Sequence, residues 1–121
     1  MLLSGGAEEG GDKMVLIFGG VYQGKLAYAK EHYGDREFIN QIDNWILSLI
    51  ESDEDVLKKV KELIAIHPDA VVICNDISCG VVPTSALHRK WRDETGRAMS
   101  LLAAHSEEVI RMFCGIPTKL K

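Results

Sequence analysis

The chain has 121 residues, 46% of them apolar and 26% charged, with 14 basic against 18 acidic side chains and a formal net charge of −4. That length suits one domain with a core of its own. The acidic balance argues against a nucleic-acid partner, whose phosphates call for a basic surface, and no apolar run approaches the roughly 20 residues that cross a bilayer.

In chain order, "MLLSGGAEEGGDK" (1–13) has too short an apolar part and no basic start for a signal peptide, and reads as a flexible leader. Met14 is an alternative start, and residues 14–121 are expected to form a single domain. "MVLIF" (14–18) is a short continuous apolar run, as in a buried parallel strand. A helix is expected over 25–33, ended by Gly34-Asp35. Residues 38–50 place Phe38, Ile39, Ile42, Trp45, Ile46, Leu49 and Ile50 on one helical face. Ser52 is expected to cap a further helix, with Asp53, Glu54 and Asp55 in its first turn and Val56, Leu57, Val60, Leu63 and Ile64 facing inward. "AVVIC" (70–74) is a second buried strand. After the Gly/Pro loop "NDISCGVVP" (75–83), Thr84 or Ser85 can cap a long helix to about His105, with Leu87, Trp91, Ala98, Leu101 and Leu102 inward. "VIRMFC" (109–114) is a third strand and "GIPTKLK" a tail. Strands separated by helices imply a parallel sheet with right-handed crossovers. A sheet of three or four strands leaves edges uncovered, which predicts a homo-oligomer.

Cys74, Cys79 and Cys114 are odd in number and form no C-x-x-C; they read as reduced thiols of a cytoplasmic protein rather than as a zinc site. His67, His88 and His105 read as surface or capping groups, because none has a recognisable catalytic partner. Trp45 and Trp91 sit at core spacing.

Chemistry concentrates in "FGGVYQGKLAYAK" (18–30). Gly19, Gly24 and Lys25 fit G-x-x-x-x-G-K, and a strand precedes them and a helix follows. Such a loop turns backbone N–H groups toward an anion, with the helix dipole behind them. The lysine reaches the β- and γ-phosphates, and the next residue, normally Ser or Thr, holds magnesium. Here that residue is Leu26, which cannot coordinate a metal. The plainer alternative is a tight turn whose glycines serve only the backbone.

The second half carries a more specific pattern: Asn75-Asp76-Ile77, Gly80, Val82-Pro83, then Arg92-Asp93 and Gly96-Arg97 on a helix, then Gly115-Ile116-Pro117. With Gly19, Gly20, Gly24 and Lys25, this resembles the bifunctional adenosylcobinamide kinase/adenosylcobinamide-phosphate guanylyltransferase family of cobalamin synthesis, from Met14 to Lys121. The resemblance implies a P-loop NTPase-like three-layer α/β fold with a small, mostly parallel sheet. It implies ATP or GTP at residues 19–26, with Asn75, Asp76 and Arg92 lining the site.

The departures from the family pattern are equally specific. The loop Ser is Leu26. About fifty residues that follow the family's first helix, longer than usual α/β connections, have no counterpart, and they carry the histidine that becomes guanylylated; His32 does not take its place. Aligning "INQIDNWILSLI" on Trp45 puts Asn40 where the family has the acidic residue of its second strand, and Asp43 could replace it only if the register moved. Met99 stands for the family's helical Asn. Because phosphoryl transfer rests on positioning and on magnesium, the expectation is weak binding of a nucleotide or phosphate anion, without magnesium and without the family's catalysis. The alternatives are an active kinase or nucleotidyltransferase acting on a cobinamide, its magnesium held by water, Asp76 or another carboxylate, and a non-catalytic oligomeric interaction protein.

Overall fold

The computed structural model describes residues 13–20, 24–77 and 85–121. The leader to residue 12, loop positions 21–23 and residues 78–84, with Cys79, Gly80, Val82, Pro83 and Thr84, lie outside the described residues. The described elements are β1 (Val15–Gly19), α1 (Lys25–His32), β2 (Phe38–Ile39), α2 (Ile42–Glu51), α3 (Val56–Ile66), β3 (Val71–Asn75), α4 (Ala86–His105), β4 (Glu108–Phe113) and β5 (Ile116–Lys119).

They form a five-stranded sheet of order β2-β3-β1-β4-β5. β1 lies parallel between β3 and β4, β2 lies parallel to β3, and only β5 is antiparallel, paired with β4. The two central apolar runs, on β1 and β3, are buried on both faces, which explains their lack of alternation. Val15, Ile17, Val71, Ile73, Ile110 and Met112 pack with Ala29 of α1. Leu16, Val72, Cys74 and Val109 pack on the other face with Ile42, Ile46, Val60, Ala98 and Leu102 of α2, α3 and α4. The result is three layers, α1 on one side of the sheet and three helices on the other.

Four expectations are corrected. Residues 38–50 are not one helix: Phe38 and Ile39 pair with Val71 and Val72 as an edge strand, and the chain turns through Gln41 at φ 55 before α2 begins. The periodicity misled because the two strand residues happen to continue the apolar stripe of the following helix. Ser52 ends α2 rather than starting α3; Asp55 is the cap, its side chain accepting from the Lys58 N–H, and Asp53 and Glu54 lie in the turn before it. The tail is a strand: Cys114 and Gly115, at φ 51 and 74, make the two-residue turn that folds β5 back on β4. Among the described residues the sheet therefore has five strands, not three or four. Leu87 is exposed on the first turn of α4. Elsewhere the boundaries agree within a residue or two, and Ser85 caps α4 by accepting from the His88 N–H.

Candidate functional site

The candidate site lies beyond the carboxyl ends of β1 and β3. From β1 the chain leaves through α1 on one face toward β2; from β3 it leaves through α4 on the other face toward β4. Connections that part in this way open a crevice between the two strands, the usual ligand position of an open α/β sheet.

Gly19 ends β1 against Asn75 of β3 and Met112 of β4. A Cβ there would stand 2.3 Å from the Met112 carbonyl oxygen, so β4 can pass only a glycine. Its own carbonyl accepts from the Asp76 N–H at 2.7 Å, which fixes the first residue beyond β3 to the start of the loop. Gly24 precedes α1 at φ 81, a conformation costly for other residues, and the space where a Cβ would project is open. Among the described residues no side chain caps α1. Its first backbone N–H groups therefore lack intrahelical acceptors and face the end of the helix that favours anions.

Lys25 is the first residue of α1, yet only 6% exposed. Its ammonium donates to the Gly20 carbonyl at 2.6 Å. Burial lowers its pKa, while Asp43, and then Cys74, act in the opposite direction by favouring the charged form. Leu26 is half-buried and packs with the α1-side core beside Tyr28, Tyr33 and Phe38. In place of a metal-binding hydroxyl, the chain has an apolar anchor for the helix.

Asp43 enters the crevice from the opposite face. It lies in the first turn of α2 and is 2% exposed. One carboxylate oxygen accepts from the Asn75 backbone N–H at 3.1 Å, the other from the Asn75 side-chain amide at 3.4 Å. The Trp91 indole N–H donates to the Asp43 carbonyl at 2.7 Å, tying α4 to the same point. Beneath it, the Cys74 thiol is pushed up to about 12, chiefly by burial and then by the Asp43 and Asp76 charges, and is inert as a nucleophile near neutrality.

Gly19, Gly20, Lys25, Asn75 and Asp76 thus meet at one place, with Gly24 at the head of the adjoining helix. Arg92 follows Trp91 on α4, but its guanidinium turns to Asp93 at 3.5 Å. Asn40 is the residue after β2, and its side-chain oxygen accepts from the Gln41 N–H on an exposed turn. Met99 packs into the core. His32 stacks on Tyr28, and His67 pairs with Glu37 at 2.8 Å.

Sequence reasoning admitted Asp43 only through a change of register and gave it no place in the site; in the structure its carboxylate reaches Asn75 from the first turn of the following helix. The available signal was its spacing: Asp43, Ile46 and Ile50 stand at i, i+3 and i+7 on the buried stripe of α2, and a carboxylate is seldom buried unless paired. Trp91 was read as core and is also the clamp on Asp43. Where the family pattern has a loop hydroxyl stands the half-buried Leu26, the Asn40 side chain accepts from the Gln41 N–H, and both Asp43 oxygens accept from Asn75. Among the described residues no three His, Cys, Asp or Glu groups gather as a metal site, and no helix is long and apolar enough to cross a membrane.

Among curated proteins, the chain is 41% identical over 51 residues to the bifunctional adenosylcobalamin biosynthesis protein CobU of Escherichia coli strain K12, and 39% identical over 51 residues to the protein of the same name from Salmonella typhimurium strain LT2. Each alignment covers 42% of this chain and 28% of the relative, so the match spans well under a third of either relative's length. The profile of the cobinamide kinase/cobinamide phosphate guanyltransferase family matches residues 34–120, from the turn after α1 to the end of β5. With the three-layer, mostly parallel fold this places the chain, in its P-loop-like architecture and along most of its length, in the cobinamide kinase/cobinamide phosphate guanyltransferase family.

Proposed function

We propose that this chain serves cobalamin biosynthesis as a family member with an altered loop, holding a nucleotide (ATP or GTP) or a simple phosphate anion weakly at residues 19–26, without magnesium and without kinase or guanylyl turnover. The observation that carries this reading is the combination of an α1 N-terminus that no described side chain caps, space over Gly24 clear of the described residues, and the Lys25 ammonium at the Gly20 carbonyl. Together they supply backbone donors and one cation for a phosphate. The loss of catalysis follows from Leu26 and Asn40. The first is committed to the core and the second to a turn, whereas phosphoryl transfer needs a hydroxyl and a carboxylate to position the metal. Asn75 and Asp76 form the opposite wall.

The chain works as a cytoplasmic homo-oligomer in this reading, with neither nucleic acid nor membrane as partner. In support, every residue of the edge strand β5 is exposed, and Phe113, Ile116 and Leu120 leave large apolar surface beside it, 57–64% exposed. The test is direct. The purified chain, supplied with cobinamide, magnesium and ATP or GTP, should form no phosphorylated product while still binding the nucleotide in EDTA; steady phosphorylation would establish the active alternative.

A further inference from the structure

Two helix ends carry charge of the wrong sign for their own dipoles. α4 opens with Leu87, His88, Arg89 and Lys90 exposed on its first turns and with no acid in the first. Cations there face the positive end of the helix. α2 closes on Glu51, with no base in its last turn, and Asp53 follows in the exposed turn to α3. Acids there face the negative end. Elsewhere on these elements charge is answered within the chain: Arg92 by Asp93 at 3.5 Å, Arg97 by Glu94 at 2.7 Å, Glu54 by Lys59 at 3.8 Å, and Asp55 by the Lys58 N–H that it caps. Arg89, Lys90, Glu51 and Asp53 have no ion-pair partner among the described residues. Residues that break a local rule without a compensating gain inside the fold are characteristic of functional contacts.

We propose that these two surfaces meet between copies of this chain, the basic start of α4 in one copy docking on the acidic α2–α3 turn of the next. Charge complementarity selects a second copy as the occupant. The chain supplies both signs on exposed turns that make no ion pair with each other inside it, and each sign relieves the other's misplaced helix end. Lys58 and Lys61 lie on α3 beyond its cap, so the charged residues of the turn itself, 51–55, are all acidic. Leu87, 41% exposed among the cations, gives the contact an apolar centre. The contact is head to tail, so each copy keeps one surface of each kind for a further neighbour. The inference rests on the homo-oligomer reading above and adds a charged contact to the apolar one named there.

Light scattering on the full chain at tens of micromolar tests this. The basic surface is reversed by Arg89→Glu with Lys90→Glu, the acidic one by Glu51→Lys with Asp53→Lys. Each reversal should weaken association at least about tenfold, because like charges then face each other. Joining both reversals in one chain should recover most of that loss. The reversals put favourable signs at the helix ends, so the dissociated chains should stay folded, which far-UV circular dichroism checks. Asp53 stands at φ 59; should Asp53→Lys unfold the chain there, Asp53→Asn, which tolerates that backbone, takes its place. Raising salt from roughly 0.05 to 0.5 M should also weaken the unmodified assembly, as screening shortens to a few ångströms. Association that neither reversal weakens, or a combined variant that stays dissociated, overturns the contact and leaves the homo-oligomer reading standing, and loss of association in Ile116→Ser then assigns it to β5. An unmodified chain that is monomeric, whether or not it captures polyglutamate through Arg89 and Lys90, overturns both.

Discussion

The two ends of the sheet handle charge in opposite ways. At the carboxyl end, Lys25 and Asp43 are buried and their partners are mainly backbone groups and an amide: Gly20, Asn75 and, through the Asp43 carbonyl, Trp91. At the amino end, Glu108 accepts from the Tyr33 hydroxyl at 2.7 Å and from Lys119 at 3.0 Å, and Arg36 lies over the Tyr33 ring while donating to the Asp69 and Lys13 carbonyls. These groups are half-buried or exposed and line an open hollow of about 670 Å³ with His32, Asp35 and Glu107. Water shares the charges at the amino end, so that network ties α1 to the last strands at small cost. At the carboxyl end Lys25 and Asp43 are themselves buried, and a buried charge must be answered by the protein or by a ligand. The difference locates the place where a ligand would matter energetically.

The contrast can be broken most forcefully at Asp43. Asp43→Ala deletes a buried acceptor of two hydrogen bonds and leaves the Asn75 donors without it, so stability should fall by about 3 kcal/mol, at the scale of lost charge-assisted bonds. Urea unfolding measures this, and a loss below about 1 kcal/mol would mean that the carboxyl end is as forgiving as the amino end. Gly19→Ala comes next. Its methyl would meet the Met112 carbonyl, and the shift needed between β1 and β4 should cost about 2 kcal/mol, in the range of core overpacking. It should also disturb the loop, visible as altered amide shifts at Gly20 and Gly24; an unshifted spectrum would show that β4 yields instead.

At the other end, Tyr33→Phe should cost about 1 kcal/mol and should flatten the acid limb of the stability curve. The Tyr33 hydroxyl, then Lys119, hold the Glu108 carboxyl below its ordinary pKa. That contribution is present above the unfolded value of about 4.3 and is lost as pH falls through the folded value. The alkaline side has the opposite sense: burial and the Glu108 bond raise the Tyr33 pKa, so stability held below the unfolded value of about 10 is lost as pH rises. An unchanged acid limb in Tyr33→Phe would contradict the assignment. Lys119→Ala, removing a largely exposed partner, should change stability by about 0.5 kcal/mol or less. A larger loss would make the amino end a structural centre too.

What the sequence makes legible follows the same division. β1, β3 and α4 are legible because their signals are local and redundant: unbroken apolar runs for the central strands, and for α4 a serine cap with an inward stripe. The glycine loop is legible because a backbone that must pass under Met112 and turn left-handed at Gly24 demands glycine. β2 is hidden by its length of two residues and by Gln41, a residue that does not advertise a left-handed turn. β5 is hidden because its residues are all exposed and include Pro117, so no alternation marks it. Asp43 escapes because its meaning comes from contacts across the fold, 32 residues away at Asn75 and 48 at Trp91. The expected helix over 38–50 obscures the start of α2, where the buried carboxylate stands out.

The central claim is that the carboxyl end binds a phosphate through Lys25 without a metal. Amide resonances of residues 19–26 can be followed during titration with ATP, once in EDTA and once in magnesium, for the unmodified chain and for Lys25→Ala. The loop should show saturable shifts of equal midpoint in both media. Those shifts should vanish in Lys25→Ala, where a charge-assisted bond of roughly 1.5–3 kcal/mol is removed. Shifts that require magnesium, shifts that survive in Lys25→Ala, or an undisturbed loop would contradict the claim.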